Sequence, residues 1–153
     1  MINLDKLDYA RNEENLHREK QRENYTFIKG DIGDQSLEQE IFQSYEIYRV
    51  IHFAAESHVD RSILEPEDFV KTNVLGTQIL LECARRVWET GDNIYREDWR
   101  FLHVSTDEVF GSLEKDGTFS ESSSYCPYSP YAASKTGADL LVKSYIDNLR
   151  LSG

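Results

Sequence analysis

The feature that most constrains this chain is a short apolar stretch that runs directly into polar residues. Phe101–Val104 predicts a buried strand, and Ser105-Thr-Asp-Glu108 follows it at once. In an open parallel sheet, ligands bind beyond the carboxyl ends of the strands. The sequence therefore predicts that hydroxyl and carboxylate groups from this segment lie in a site crevice.

A phenol and an ammonium group follow on a predicted helix. Pro130 suits the first turn of that helix, and Tyr131 and Lys135, four residues apart, then share one of its faces. The spacing alone is weak evidence, because Tyr25 and Lys29 repeat it in a predicted strand, where about 13 Å would separate their side chains. The position of the later pair after a polar strand end favours a role in proton transfer.

The rest of the chain alternates predicted strands with predicted helices, which indicates a doubly wound parallel α/β fold without internal repeats. Leu37, Ile41 and Phe42 form the apolar face of the first clear helix, and Ser36 is its predicted cap. The predicted strands are 1–4, 25–31 with its turn, 48–55 and 101–104, and the predicted helices are about 12–21, 36–45, 66–89 and 130–149.

Composition narrows the class of protein. The formal net charge of -11 argues against binding to nucleic acid or to an anionic membrane surface. Cys83 and Cys126 are far apart and have no partner at metal-ligand spacing, so we expect no metal and a reducing compartment. No stretch is typical of a signal peptide or a membrane span, which predicts a cytoplasmic protein.

The glycines indicate that the fold is incomplete within this chain. In a Rossmann-like dinucleotide-binding fold, an acidic residue ends the second strand about 20 residues after a glycine-rich turn. Asp5 fits that acidic position, yet none of the eight glycines forms the turn. We therefore predict that residues 1–153 form a partial NAD-binding domain without its first strand. The alternative is that Asp5 is an ordinary exposed residue near a terminus.

Several segments together carry a family resemblance. The chain resembles the dTDP-glucose 4,6-dehydratases of the extended short-chain dehydrogenase/reductase family, over nearly all of its length but only an internal part of theirs. Asp8 and Arg11 depart from the family pattern, which usually has Thr and Gly there. The matching segments are Asp5-Lys-Leu-Asp-Tyr-Ala10, Gly30-Asp-Ile32, His52-Phe-Ala-Ala-Glu-Ser-His-Val-Asp-Arg-Ser-Ile63, Thr72-Asn-Val-Leu-Gly-Thr77, Ser105-Thr-Asp-Glu-Val-Phe-Gly111 and Tyr128-Ser-Pro-Tyr-Ala-Ala-Ser-Lys135.

The resemblance implies a reaction cycle on bound NAD with dTDP-glucose as substrate. Tyr131, with its pKa lowered by Lys135, takes the proton of the sugar 4-hydroxyl. Glu108 removes the C5 proton and Asp107 protonates the departing 6-hydroxyl, while Thr106 binds the sugar near O4. Burial or like-charge repulsion can give adjacent carboxylates such opposite roles.

The resemblance also implies a cofactor site and a mode of assembly. Ser57 is placed within reach of the substrate as well as the cofactor. Enzymes of this resemblance are commonly homodimers through long helices like those at 66–89 and 130–149. The implied cofactor-binding residues are Asp5 and Lys6 at the adenosine ribose, Asp31 and Ile32 at the adenine, Phe53, Ala54, Ala55 and Ser57 along the diphosphate, Thr72 beneath them, and Tyr131 and Lys135.

Two alternatives remain open. Another nucleotide-sugar epimerase or decarboxylase of the same family would share most of these motifs, although the Asp107-Glu108 pair favours dehydration. A non-enzymatic alternative is a truncated module that is stable only with a partner. The absent strand is expected to be the central one, between Met1–Leu4 and Tyr48–Phe53, and its loss leaves two interior sheet edges unpaired. We expect the isolated chain to bind NAD poorly and to lack dehydratase turnover.

Other conspicuous residues have structural interpretations. His52 is expected to be a buried strand histidine rather than a catalyst. His58, Asp60 and Arg61 are expected to form a loop ion-pair network, and the alternative is that they contact a nucleotide sugar. Trp88 and Trp99 are expected to be packing residues that flank a polar insertion.

Overall fold

The computed structural model describes residues 1–8, 16–91, 94–95, 98–113 and 117–149. The strands are β1 (Ile2–Asp5), β2 (Thr26–Lys29), β3 (Arg49–His52), β4 (Glu89–Gly91), β5 (Ile94–Tyr95) and β6 (Arg100–His103). The α-helices are α1 (Gln35–Ser44), α2 (Val59–Leu64), α3 (Pro66–Phe69), α4 (Thr77–Trp88) and α5 (Pro130–Leu149).

Two parallel strand pairs form the sheet layer. β1 pairs with β2, and β3 pairs with β6, each in parallel register over four residues. Among the described residues no strand joins β1 to β3, so the two pairs remain separate two-stranded sheets. The predicted parallel α/β class is confirmed, and the break falls between the two strands where the sequence predicted an absent neighbour.

The core lies where the helices pack on the β3–β6 pair. Helix α4 contacts both α1 and α5. Trp88 and Trp99 meet edge to face with ring centroids 5.4 Å apart, and Trp88 Nε1 donates to Ile47 O at 2.7 Å. The packing role predicted for the two tryptophans is confirmed. The buried cluster consists of Phe42, Ile79, Leu80, Leu81, Cys83, Ala84, Trp88, Trp99 and Phe101.

The long helix predicted from Pro66 is interrupted by a different helical geometry. Pro66 occupies the first turn of α3, a π-helical turn then covers Val70–Gly76, and α4 follows without a break. A π turn has no strong residue pattern, and such turns occur often at functional sites. This turn places Asn73 and Gly76 in the interior.

The start of α1 differs from the prediction. Asp34, not Ser36, caps the helix, and its carboxylate accepts hydrogen bonds from the backbone N–H groups of Ser36 and Leu37 at 3.0 and 3.1 Å. Either residue type is a good cap, and the sequence pattern could not separate two candidates two residues apart. The helix otherwise occupies the predicted segment.

Helix α1 also buries a carboxyl group that the sequence analysis did not single out. Glu38 is 1 % exposed and lies with Ile41 and Phe42 on the inner face of the helix. Burial, and secondarily the nearby Asp34, raises the pKa of Glu38 to about 7. Its Oε1 accepts no hydrogen bond from the described part of the chain.

The helix predicted around 12–21 lies partly outside the described residues, and its described part holds only a 3₁₀ turn, Glu19–Gln21. The polar insertion between the tryptophans contains the antiparallel hairpin β4–β5, which was not predicted.

Within the described ranges, no helix has the length and apolar character needed to cross a bilayer.

Candidate active site

The end of β6 carries the first group of candidate catalytic residues. Thr106 caps a 3₁₀ turn over Asp107–Phe110, and its hydroxyl accepts the Glu108 N–H at 3.4 Å. Gly111 ends that turn with φ of 97°, and a Cβ there would lie 2.7 Å from Cys126 O. Glycine is therefore required at this bend. Both carboxylates, on Asp107 and Glu108, are exposed beside the helix start.

Tyr131 lies in the first turn of α5, against the end of β6. Its ring is buried and meets Phe69 edge to face, with centroids 6.3 Å apart. Burial raises the pKa of Tyr131. The carboxylates of Glu108 and Asp107 raise this pKa further, whereas a hydrogen bond with Thr106 lowers it. The structure thus brings four of the predicted catalytic and substrate residues together.

The predicted effect of Lys135 on Tyr131 is not met. Lys135 is 3 % exposed, and its ammonium group donates to Val104 O at 2.7 Å. Burial lowers the pKa of Lys135, and Asp139 partly opposes that change. The pKa of Tyr131 is raised rather than lowered, because its ring is buried and because the negative charges of Glu108 and Asp107 act on it.

A buried amide that the sequence analysis did not single out joins the loop after β3 to helix α5. Asn73 accepts the Glu56 N–H at 2.8 Å and donates to Glu56 O at 2.9 Å and to Ser134 Oγ at 2.9 Å. Ser134 Oγ in turn donates to Tyr131 O at 2.7 Å. Asn73 lay within a quoted motif, but only the π turn shows that its side chain points inward.

The buried histidine of β3 is structural, as predicted. The Thr77 hydroxyl donates its hydrogen to Asn73 O at 2.6 Å. Because that hydrogen is used, His52 Nε2 must donate to Thr77 Oγ1, which lies 2.8 Å away. Burial, and secondarily His103 and Lys135, lowers the pKa of His52 to about 3. His52 is therefore neutral at physiological pH and not available as an acid.

The predicted adenosine-binding residues meet at the ends of β1 and β2. Asp5 Oδ1 accepts the Leu7 N–H at 2.7 Å, which orients the exposed carboxylate at the end of β1. Lys6 and Asp31 form an ion pair at 2.9 Å. Although burial opposes it, the pKa of Asp31 is lowered by the hydrogen bonds from Lys6 and from the Gly33 N–H. An exposed, oriented carboxylate at this strand end fits an acceptor for ribose hydroxyls.

The other predicted cofactor residues fall into two groups. Ile32 packs inside, since a Cβ on Gly76 would lie only 2.7 Å from its Cδ1. Phe53 and Ser57 follow β3 and are exposed, which leaves them accessible at the carboxyl end of that strand. Roles for these residues, and for Ala54, Ala55 and Thr72, which are half-buried, remain predictions.

Arg61 forms an ion-pair network, which confirms the part of the prediction that concerns this residue. The guanidinium group contacts Glu56 at 3.2 Å, Glu65 at 2.6 Å and Asp68 at 3.2 Å. Because Glu56 is also held by Asn73, this network braces the loop that follows β3 against α2 and α3.

Sequence comparison relates the whole chain to known enzymes. A profile of the family described as GDP-mannose 4,6 dehydratase matches residues 1–152. Two proteins named dTDP-glucose 4,6-dehydratase, from Xanthomonas campestris and Haemophilus influenzae, are 47% and 46% identical to this chain over 95% of its length. The matched part is 41% and 43% of their lengths, so the chain spans about two fifths of these relatives.

Structural comparison gives the same relationship. A dTDP-glucose 4,6-dehydratase from Streptomyces venezuelae, solved with NAD bound, superposes with a TM-score of 0.85 at 43% identity, over 98% of this chain and 43% of that one. A UDP-glucose 4-epimerase from Thermotoga maritima gives 0.81 at 27% identity, over 98% and 44%. By its sequence profile and by its fold, this chain belongs to the GDP-mannose 4,6 dehydratase family.

Proposed function

We propose that this chain carries the catalytic residues of an NAD-dependent dTDP-glucose 4,6-dehydratase, which forms the 4-keto-6-deoxy sugar and water. The observation that supports it best is the meeting of Thr106, Asp107 and Glu108 with Tyr131 at one strand end. The relatives named for this activity, and the one solved with NAD, point to the same reaction. A nucleotide-sugar substrate and NAD are therefore the ligands we assign.

The residues divide the proton transfers between them. Tyr131 accepts the proton of the sugar 4-hydroxyl, and Asp107 protonates the leaving 6-hydroxyl so that water departs. Glu108 removes the C5 proton and gives it back to C5 when hydride is returned to C6. NAD, when bound, would accept hydride from C4 and return it to C6. Because the pKa of Tyr131 is raised in this structure, a base at this position needs positive charge nearby. We assign that charge to Lys135, buried one turn along α5, although its ammonium group is held by Val104 O and does not lower the pKa of Tyr131 in this structure.

The cofactor site rests on the ends of β1 and β2. Asp5 would accept hydrogen bonds from the adenosine ribose, and Lys6 and Asp31, already paired, would border the adenine. The exposed residues after β3, Phe53 and Ser57, would line the path toward the reacting sugar. These assignments combine the observed positions with the family pattern.

An epimerase is the second candidate, because UDP-glucose 4-epimerases share the fold. Epimerisation at C4 needs neither loss of the 6-hydroxyl nor a base at C5. The adjacent carboxylates of Asp107 and Glu108, both exposed beside Tyr131, favour the dehydratase.

A chimera tests the assignment. This chain replaces the segment that it matches in the Xanthomonas campestris enzyme, and product is measured by mass spectrometry with dTDP-glucose and NAD. We expect loss of one water from the sugar, and a fall in kcat of about 100-fold or more in Tyr131→Phe and Glu108→Gln variants. Tyr45→Phe, at the end of α1, is the matched control. A folded chimera that binds NAD but yields an epimer, or nothing, would exclude the dehydratase.

The isolated 153-residue chain is expected to behave differently. β1 and β3 each lack a hydrogen-bonded neighbour on one side within the described residues, and unpaired edges favour association over defined cofactor binding. We therefore expect weak NAD binding and no turnover from the chain alone, tested by calorimetry and the same product assay. The intact mass of the native protein, captured from its source with an antibody, decides whether longer protein surrounds this segment.

Homodimer formation and a cytoplasmic location are part of the same proposal. Val87 on α4 and Leu140 and Ile146 on α5 are exposed apolar side chains on the two helices assigned to dimerisation. Cys83 and Cys126 are both free thiols, which suits a reducing compartment. Analytical ultracentrifugation of the chimera with Leu140→Lys is expected to give monomers, whereas an unchanged dimer would place the interface elsewhere.

A further inference from the structure

Helix α5 holds the end of β6 at two consecutive residues. Lys135 donates its ammonium hydrogen to Val104 O at 2.7 Å, and Ser105 Oγ donates to Asp139 Oδ2 at 2.6 Å. Lys135 and Asp139 are four residues apart, so they share one face of the helix. The next residue of the chain, Thr106, begins the candidate catalytic turn.

Asp139 is a nearly buried charge with several neighbours. Its side chain is only 11% exposed. Tyr125 lies nearby, and its pKa is raised by burial and then by this carboxylate. His103 Nε2 lies 3.2 Å from Asp139 Oδ1. The two groups do not have the geometry of a hydrogen bond, so the contact is an ion pair only when the ring is protonated. The groups that face the carboxylate are thus Ser105, His103, Tyr125 and Lys135.

No step of the proposed reaction uses Asp139. We propose that it is a positioning residue, which keeps Lys135 in its charged form and fixes the strand end that delivers the catalytic turn. The part of this inference that concerns catalysis rests on the proposed function. The burial of Lys135 supports it, because a buried ammonium group without a nearby anion favours its neutral form. Asp139 is the group that opposes this tendency.

Isotope-edited NMR of the chain tests the charge effect without any need for activity. Lysine labelled at Cε is titrated, with the Lys135 signal assigned from a Lys135→Arg variant. We expect Asp139→Asn to lower the pKa of Lys135 by about one pH unit. Asp147→Asn is the control, because Asp147 is exposed on the same helix. An unchanged Lys135 titration in a folded Asp139→Asn variant would overturn the proposal.

The unsubstituted chain supplies a second measurement, in case Asp139→Asn does not fold. On acidification, the NMR signal of Lys135 is expected to shift together with the carboxyl-carbon signal of Asp139. Independent behaviour of the two signals would contradict the proposed coupling.

The catalytic part is tested in the chimera. Asp139→Asn is expected to move the alkaline limb of the kcat profile to lower pH by the same amount, with little change in KM, and Asp139→Glu to restore it. Asp147→Asn should leave the profile unchanged. If the NMR effect appears and no variant of the chimera dehydrates dTDP-glucose, the charge effect stands and the proposed function fails. If the chimera is active and its limb does not move, the positioning role in catalysis fails.

Discussion

One half of the molecule carries the proposed catalytic residues (the catalytic half) and the other carries the proposed nucleotide-binding residues (the nucleotide half), and different interactions stabilise the two. In the first, β3 and β6 lie under α4 and α5, and Trp88, Leu81 and Phe101 are almost completely buried. In the second, the strands β1 and β2 have no fully buried position. The local hydrogen bonds of Asp5 and Asp31 do most of the positioning there.

This difference separates two ways to build a site. Tyr131 and Lys135 are placed by a packed helix, so their positions follow from the core and change little without large loss of stability. Asp5 and Asp31 lie at the carboxyl ends of the two-stranded β1–β2 sheet, where single hydrogen bonds contribute about 1 kcal/mol each. The catalytic half should therefore be rigid, and the nucleotide half should open more easily, as amide hydrogen exchange would detect.

The largest expected effect comes from the core. Trp88→Ala removes a 1 % exposed indole and its hydrogen bond to Ile47 O, and should lower the free energy of unfolding by about 3–5 kcal/mol. Phe27→Ala, in half-buried β2, should cost only about 1–2 kcal/mol. Urea unfolding of both variants measures the contrast. Equal losses would contradict the division into two differently stabilised halves.

The buried carboxyl group of Glu38 makes the stability of α1 depend on pH. Its pKa of about 7 in the folded protein lies above the ordinary value of 4.5, so the folded state keeps a proton that the unfolded state loses. Stability should therefore fall as pH rises from about 4.5 to 7 and then level off, by about 3 kcal/mol in all. Urea unfolding across this pH range measures the slope.

Two variants isolate that effect. Glu38→Gln should remove the fall in stability, whereas Glu40→Gln, exposed on the same helix, should leave it in place. The titratable groups around Glu38 are Asp34 on α1 and the Cys83 thiol on α4, which stays neutral in this range because burial raises its pKa to about 11. A slope that survives in Glu38→Gln would assign the pH dependence to another group.

Glu38 also marks the limit of what the sequence could predict. Its neighbours Ile41 and Phe42 have helical spacing, which predicts α1 and its inner face correctly, but a charged residue is expected outside. The strand ends and Pro130 likewise predicted where Thr106 and Tyr131 lie. The π turn, the inward amide of Asn73 and the direction of the Lys135 ammonium group depend on packing between distant segments, and no local pattern encodes them.

The two halves meet at Gly76, which the π turn brings against Ile32. Gly76→Ala would place a Cβ 2.7 Å from Ile32 Cδ1, so the buried Ile32 side chain must shift, at a cost of about 1–3 kcal/mol. Gly137→Ala is the matched control, because its Cβ would meet Val74 at 3.4 Å, an ordinary contact. Thermal unfolding should separate them, and chemical shifts of Asp31 should move in Gly76→Ala alone. A neutral Gly76→Ala would mean that the halves are not rigidly joined here.

The smallest expected effect lies at the exposed ion pair of the nucleotide half. Lys6→Gln should change stability by less than about 1 kcal/mol, because both side chains of the Lys6–Asp31 pair are partly exposed to water. The pKa of Asp31 is lowered in the folded protein, so the contribution of the pair is present at neutral pH and is lost as pH falls through that lowered value. In Lys6→Gln the pKa of Asp31 should rise, as carboxyl-carbon NMR would measure, while Lys29→Gln should not alter it. A large loss of stability in Lys6→Gln would show that the β1–β2 sheet depends on its surface charges. The two halves would then differ in the kind of interaction that stabilises them and not in how stable they are.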